Sequence, residues 1–194
     1  MRAHRFAVVA LLMMTAGVPF RASGQGRPDP SVLIEAQRKA MARLAFMDGV
    51  WRGTAWDVRP SGEKHVLEHT ERIGPFLDGS VKMIEGRGYN PDGKVGFNAL
   101  GIISYNRDST YSMRSYALGN VGDFPLTPTA DSFVWEFPAG PATIRYTAVI
   151  KDSVWREIGE RIFGPDKGPV RFFEMNLTRV GDTSWPAGGA IGAK

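Results

Sequence analysis

Nine runs of strand character, joined mostly by short turns, constrain this chain more than any other feature. They cover residues 50–58, 65–73, 80–89, 95–105, 110–118, 132–137, 143–150, 153–163 and 171–180. Turn residues separate them: Pro60-Ser61-Gly62, Pro91-Asp92-Gly93, Asn106-Arg107-Asp108, Gly140-Pro141, Lys151-Asp152 and Pro165-Asp166-Lys167-Gly168. Residues 74–79 read equally well as a turn or as the start of a strand. A meander this long leaves unpaired N–H and C=O groups along its two edges unless its ends meet, so it closes. The expected fold is mainly β, one antiparallel up-and-down barrel of about eight to ten strands.

Ahead of the strands, Leu33, Ile34, Met41, Leu44 and Ala45 recur at helical spacing. Ser31 is the expected N-cap, and the helix is expected to end near Asp48-Gly49 and to lie over one mouth or edge of the barrel. Earlier still, Arg2 and Arg5 precede an apolar run from Phe6 to Val18, which is too short to span a bilayer comfortably. Ala22-Ser23-Gly24 supplies the small residues of a cleavage site. The expected organisation is a signal peptide over 1–24, a linker over 25–30, the barrel domain with its helix over 31–180 and a disordered Gly/Ala-rich tail over 181–194. Export to the periplasm or beyond follows, with no stable membrane anchor after cleavage.

Charge and cysteine count narrow the chemistry. The leader holds Arg2, Arg5 and Arg21 of the 24 basic residues and no acidic one, so the remainder carries 21 basic against 20 acidic side chains. A nucleic-acid surface is not supported. There is no cysteine, which excludes a lipid-anchored lipoprotein, disulfides and thiolate metal sites.

The histidines beyond the leader are His65 and His69. On a helix this spacing would suit a metal, but along a strand residues i and i+4 lie roughly 13 Å apart and cannot share an ion. The alternating set His65, Leu67, His69, Glu71 and Ile73 would give an inward face a histidine and a carboxylate. Elsewhere Glu71, Glu85, Glu136, Glu157, Glu160 and Glu174 alternate with Arg114, Arg145, Arg156 and Arg161 on neighbouring runs. These read first as solvated cross-strand pairs. With Tyr105, Tyr116 or Tyr146 they also read as an acid–base set acting on a phenol or enol. No Gly-X-Ser-X-Gly elbow or phosphate loop occurs.

The helix, then Gly49-Val50-Trp51-Arg52-Gly53, Gly101-Ile102-Ile103-Ser104-Tyr105-Asn106, Tyr111-Ser112-Met113 and Phe173-Glu174-Met175-Asn176-Leu177-Thr178-Arg179 together resemble a bacterial domain-of-unknown-function family of calycin-like proteins. These are relatives in shape of the lipocalins, fatty-acid-binding proteins and nitrobindins. The likeness covers residues 31–180. It implies that Trp51 plugs the closed end of the barrel and that the Arg179 guanidinium stacks on the indole across the first and last strands. Nitrobindins hold haem through a histidine late in the chain, and none follows His69. No cofactor and no metal are therefore expected. The expected role is binding of a small hydrophobic or amphipathic molecule, with His69, Glu71, Tyr111, Met113 and Tyr146 as ligand-binding residues. A cofactor-independent lyase, isomerase or hydrolase and a filled barrel serving as an interaction module stand as alternatives. Oligomeric state is left open.

Overall fold

The computed structural model describes residues 29–193; the expected leader, and all but the end of the expected linker, lie outside them. Ten antiparallel strands close into an up-and-down barrel: β1 (Gly49–Val58), β2 (Lys64–Phe76), β3 (Val81–Tyr89), β4 (Val95–Tyr105), β5 (Tyr111–Ala117), β6 (Asn120–Pro128), β7 (Ser132–Ala139), β8 (Ala142–Lys151), β9 (Val154–Ile162) and β10 (Val170–Gly181). Each pairs with its neighbours in sequence, and β10 returns to β1 with Trp51 opposite Arg179 and Ala55 opposite Met175. Gly53 lets this closure come tight, since a Cβ there would stand 2.1 Å from the Asn176 carbonyl oxygen.

The tenth strand is β6, which the run of alternating residues does not reveal. It contains Gly122, Pro125 and Pro128, residues that weaken strand character because proline cannot donate to the ladder. The cost falls on one seam: β6 meets β7 through only three registered pairs, Leu126 with Trp135, Thr127 with Val134 and Pro128 with Phe133. At the ambiguous 74–79 segment, β2 runs on to Phe76 and the chain turns through Leu77 and Asp78, both at positive φ.

The N-terminal helix α1 (Pro30–Ala42) is capped by Asp29 rather than Ser31: the Asp29 carboxylate accepts from the Ser31 N–H at 2.9 Å. It stops at Ala42, earlier than expected, and a short 3₁₀ turn (Ala45–Met47) leads into β1. Ala40, Met41, Leu44 and Met47 are buried and close the end of the barrel where β1 begins. Tyr111 fastens the helix there by donating its hydroxyl to the Ala40 carbonyl at 3.1 Å. Trp51, Ile73, Ile103, Trp155 and Leu177 pack beneath this plug in one continuous apolar cluster.

Trp51 is 1% exposed, donates its indole N–H to the Met47 carbonyl at 2.9 Å and meets Trp155 edge-on. Arg179 faces it in register but does not stack on it. The guanidinium instead donates to the Asp48 carbonyl and pairs with Asp182, and cation–π contacts among the described residues do not include this pair. A backbone carbonyl at the helix–barrel junction needs a donor, and the guanidinium supplies two. Beyond β10 the segment read as a disordered tail is seated on the wall, with Trp185 under the Arg72 guanidinium at 4.6 Å and a short 3₁₀ turn (Ala187–Gly189) against β2.

Candidate functional site

The two-residue period of the strands decides what enters the lumen. On β2 the inward face is His65, Leu67, His69, Glu71 and Ile73, with Leu67, His69, Glu71 and Ile73 buried. On β9 it is Trp155, Glu157 and Gly159, all buried, while Arg156 points outward to Glu174. Tyr146 on β8 and Trp135 on β7 oppose one another in register, their rings parallel and 4.1 Å apart.

These faces bring a polar group to the middle of an otherwise apolar barrel. His69 Nε2 lies 2.9 Å from Glu71 Oε1. Trp135 donates its indole N–H to Glu157 Oε1 at 3.3 Å. Burial pushes the Glu157 carboxyl up to about 7, with the Glu71 charge adding to it and the Trp135 N–H and the His69 ring opposing; the Trp155 N–H also opposes from nearby, without reaching hydrogen-bond geometry. Burial also raises the Tyr146 hydroxyl, with Glu157 contributing. Three buried polar atoms here have no hydrogen-bond partner: His69 Nδ1, Glu71 Oε2 and Trp155 Nε1. Space is made for Glu71 by Gly86 on β3, where a Cβ would stand 2.6 Å from Glu71 Oε1.

The lumen has two unlike halves. The half under the helix is filled. Toward the other end, the inward rings Phe97, Phe124, Trp135, Phe137, Tyr146 and Phe173 are only partly buried. An inward ring in a closed wall meets solvent only from the lumen or its rim, so these rings line the lumen toward its mouth, the end away from the helix. His65 stands there, its ring held by Asn90 at 2.9 Å and Asp57 at 3.5 Å. A groove on the outer wall, about 830 Å³, is lined by Arg52, Val66, Glu68 and Tyr89 and is separate from this lumen.

Of the residues expected to bind ligand, His69, Glu71 and Tyr146 gather at the junction of the two halves. Tyr111 and Met113 do not join them: Tyr111 is occupied with α1 and stacks edge-on against Tyr105, and Met113 belongs to the filled core. In the sequence Glu157 reads both as part of a solvated pair and, with Tyr146, as part of an acid–base set, with nothing to set it apart from the other carboxylates but one signal. The signal was the β9 alternation itself, since Glu157 shares the face of Trp155 while Arg156, Ile158 and Glu160 take the other. Of the remaining carboxylates Glu85 pairs outside the lumen with Arg72 and Arg87, Glu136 with Arg145 and Glu174 with Arg156 and Arg171. Among the described residues no group of three or more His, Asp or Glu side chains is arranged to hold a metal ion.

No family model matches this chain, and no curated protein matches it. Solved structures do. Rv2717c from M. tuberculosis superposes with a TM-score of 0.55 over 72% of this chain and 96% of its own, at 11% identity. At that identity the likeness is one of fold.

Proposed function

We propose that this is an exported calycin-like barrel whose open half takes up a small amphipathic molecule, apolar part toward the mouth and polar part on the His69–Glu71–Glu157 floor. The observation that carries this reading is the contrast between the two halves: a sealed base and a mouth ringed by six partly accessible inward aromatic side chains. Lumens of this kind bind by apolar walls and a few placed polar groups. The three unpartnered atoms supply such groups, because a buried donor or acceptor left unpaired costs about 1–3 kcal/mol that a ligand group recovers. An interaction module with a filled interior has less support, since the inward aromatic side chains away from the helix stay partly accessible. Export rests on the leader in the sequence. Among the described residues no helix is long and apolar enough to cross a membrane.

Native mass spectrometry of protein purified from its own host tests the reading. A retained small molecule is expected, released on denaturation. Protein that is ligand-free and shows no affinity for any apolar probe would count against it.

A second reading is catalysis without a cofactor. It is favoured by one observation, the buried cluster of two carboxylates and an imidazole in which the Glu157 pKa is raised to about 7.

A further inference from the structure

The geometry points to a proton-transfer site for small neutral carbonyl compounds, with His69 as the base, Glu71 holding the base in place, and Glu157 with the Trp155 N–H serving the carbonyl oxygen. This rests on the lumen being the binding site and goes further, by naming the reaction class and its groups.

The roles follow from hydrogen-bond chemistry. A carboxylate only accepts, so the 2.9 Å contact with Glu71 Oε1 places the proton of a neutral His69 ring on Nε2. Nδ1 is then a bare lone pair, buried and without a partner. A histidine oriented by a carboxylate on one nitrogen and free on the other is the arrangement of a general base. Across the lumen Glu157 is buried among aromatic rings, and beside it the Trp155 N–H has no acceptor. These three groups, one acceptor that wants an acidic hydrogen and two donors that want an oxygen, are the ones left for a ligand.

Surroundings select the substrate. The groups acting on Glu157 are Glu71 and His69 from β2, Trp135 from β7 and Trp155 from β9, and Glu157 in turn acts on Tyr146 of β8. None is a lysine or arginine. Lys82, also inward, is bound to Asp48, while Arg161, on the Glu157 face of β9, lies over Phe172 and acts with Asp57 on Tyr146. With no cation acting on Glu157 itself and the Glu71 carboxylate beside it, the floor disfavours a carboxylate or phosphate group, and the aromatic walls favour a flat apolar frame.

The step balances without oxidant or cofactor. His69 Nδ1 takes a proton from the carbon next to the carbonyl, the C–H electron pair becomes the new C=C bond, and the carbonyl π pair moves to oxygen. Glu157 gives its proton to that oxygen, and the Trp155 N–H donates a hydrogen bond to it. The products are an enol, an imidazolium paired with Glu71, and a Glu157 carboxylate. In the return step the enol hydroxyl gives its proton back to Glu157. The imidazolium swaps its proton for a solvent deuteron and delivers that to the same carbon, which is exchange, or it passes the proton to the far carbon of an unsaturated ketone, which is a 1,3-shift.

The test uses 1-tetralone in deuterated buffer, with α-hydrogen exchange followed by proton NMR and binding followed separately by tryptophan emission. Saturable binding is expected, with exchange about 10²-fold or more above the same concentration of free imidazole. The rate should decline above pH 7 as Glu157 loses its proton. His69→Gln and Glu157→Gln, each checked for fold by circular dichroism, should lose most of the exchange, and Glu157→Gln should lose the pH dependence as well. Binding without exchange, or exchange undiminished in both variants, overturns the proposal and leaves the lumen reading standing. Failure to bind the ketone while a neutral apolar dye still binds overturns the substrate class, and with it the proposal. Failure to bind either overturns the lumen reading too.

Discussion

His69 and Glu71 face the same lumen from one strand, their side chains joined at 2.9 Å although their backbones are two residues apart. Same-face neighbours of a strand are spaced by one full pleat, so a histidine can lean along the strand to the next inward residue. That contact consumes one nitrogen and one oxygen and leaves Nδ1 and Oε2 facing outward from the pair.

The Glu157 titration has a stability consequence with a definite sign. Its folded-state pKa, about 7, lies above the ordinary carboxyl value of 4.5. The folded protein therefore keeps a proton that the unfolded chain has lost, and stability is full below about pH 4.5 and falls as pH rises to about 7. The full effect is on the order of 3 kcal/mol, from 1.36 kcal/mol per pKa unit. Melting temperatures from pH 5 to 7.5 should show this decline in the native protein and a much flatter profile in Glu157→Gln.

Trp51 bears on the sealed half of the barrel. Its indole is buried between Met47 and Trp155 and satisfies the Met47 carbonyl. Trp51→Ala should cost about 3–5 kcal/mol, seen as a lower denaturant midpoint. Arg179→Met, which removes donors from the Asp48 carbonyl but no indole stack, should cost less.

Gly86 makes room for the Glu71 carboxylate. Gly86→Val would force Glu71 away from its place beside His69. A loss of about 1–3 kcal/mol is expected by denaturant titration.

Lys82 is 1% exposed and its ammonium is paired with Asp48 at the helix–barrel junction. Burial lowers its pKa and Asp48 opposes the shift. Asp48→Ala would strand the charge and should destabilise by about 3 kcal/mol, whereas the double variant Asp48→Ala/Lys82→Met should recover much of that loss. A double-mutant cycle in urea measures both.

The barrel was legible because alternation and turns are local signals that survive in a single sequence. Nine runs were readable, and β6 was not, because Pro125 and Pro128 carry the marks of a loop while tertiary pairing still holds them in the wall. The inward set of β2 followed from alternation alone, and His69 and Glu71 with it. Glu157 was one acid–base candidate among several, because a glutamate between Arg156 and Glu160 looks like a surface charge until the face of Trp155 is followed. Arg179 shows the reverse error: the strand partner of Trp51 was legible, but the destination of its guanidinium depended on the Asp48 carbonyl, which only the helix junction brings near.

Occupancy of the open half is tested most directly with N-phenyl-1-naphthylamine, a neutral dye that brightens in apolar surroundings. The expected result is saturable one-site binding, accompanied by quenching of tryptophan emission. Phe173→Glu, which puts a charge among the inward aromatic side chains of the open half, should weaken it at least about tenfold. Substituting Val66 and Tyr89 in the outer groove should leave it unchanged. Absence of saturable binding, or binding lost in the groove variants and kept in Phe173→Glu, would contradict the account.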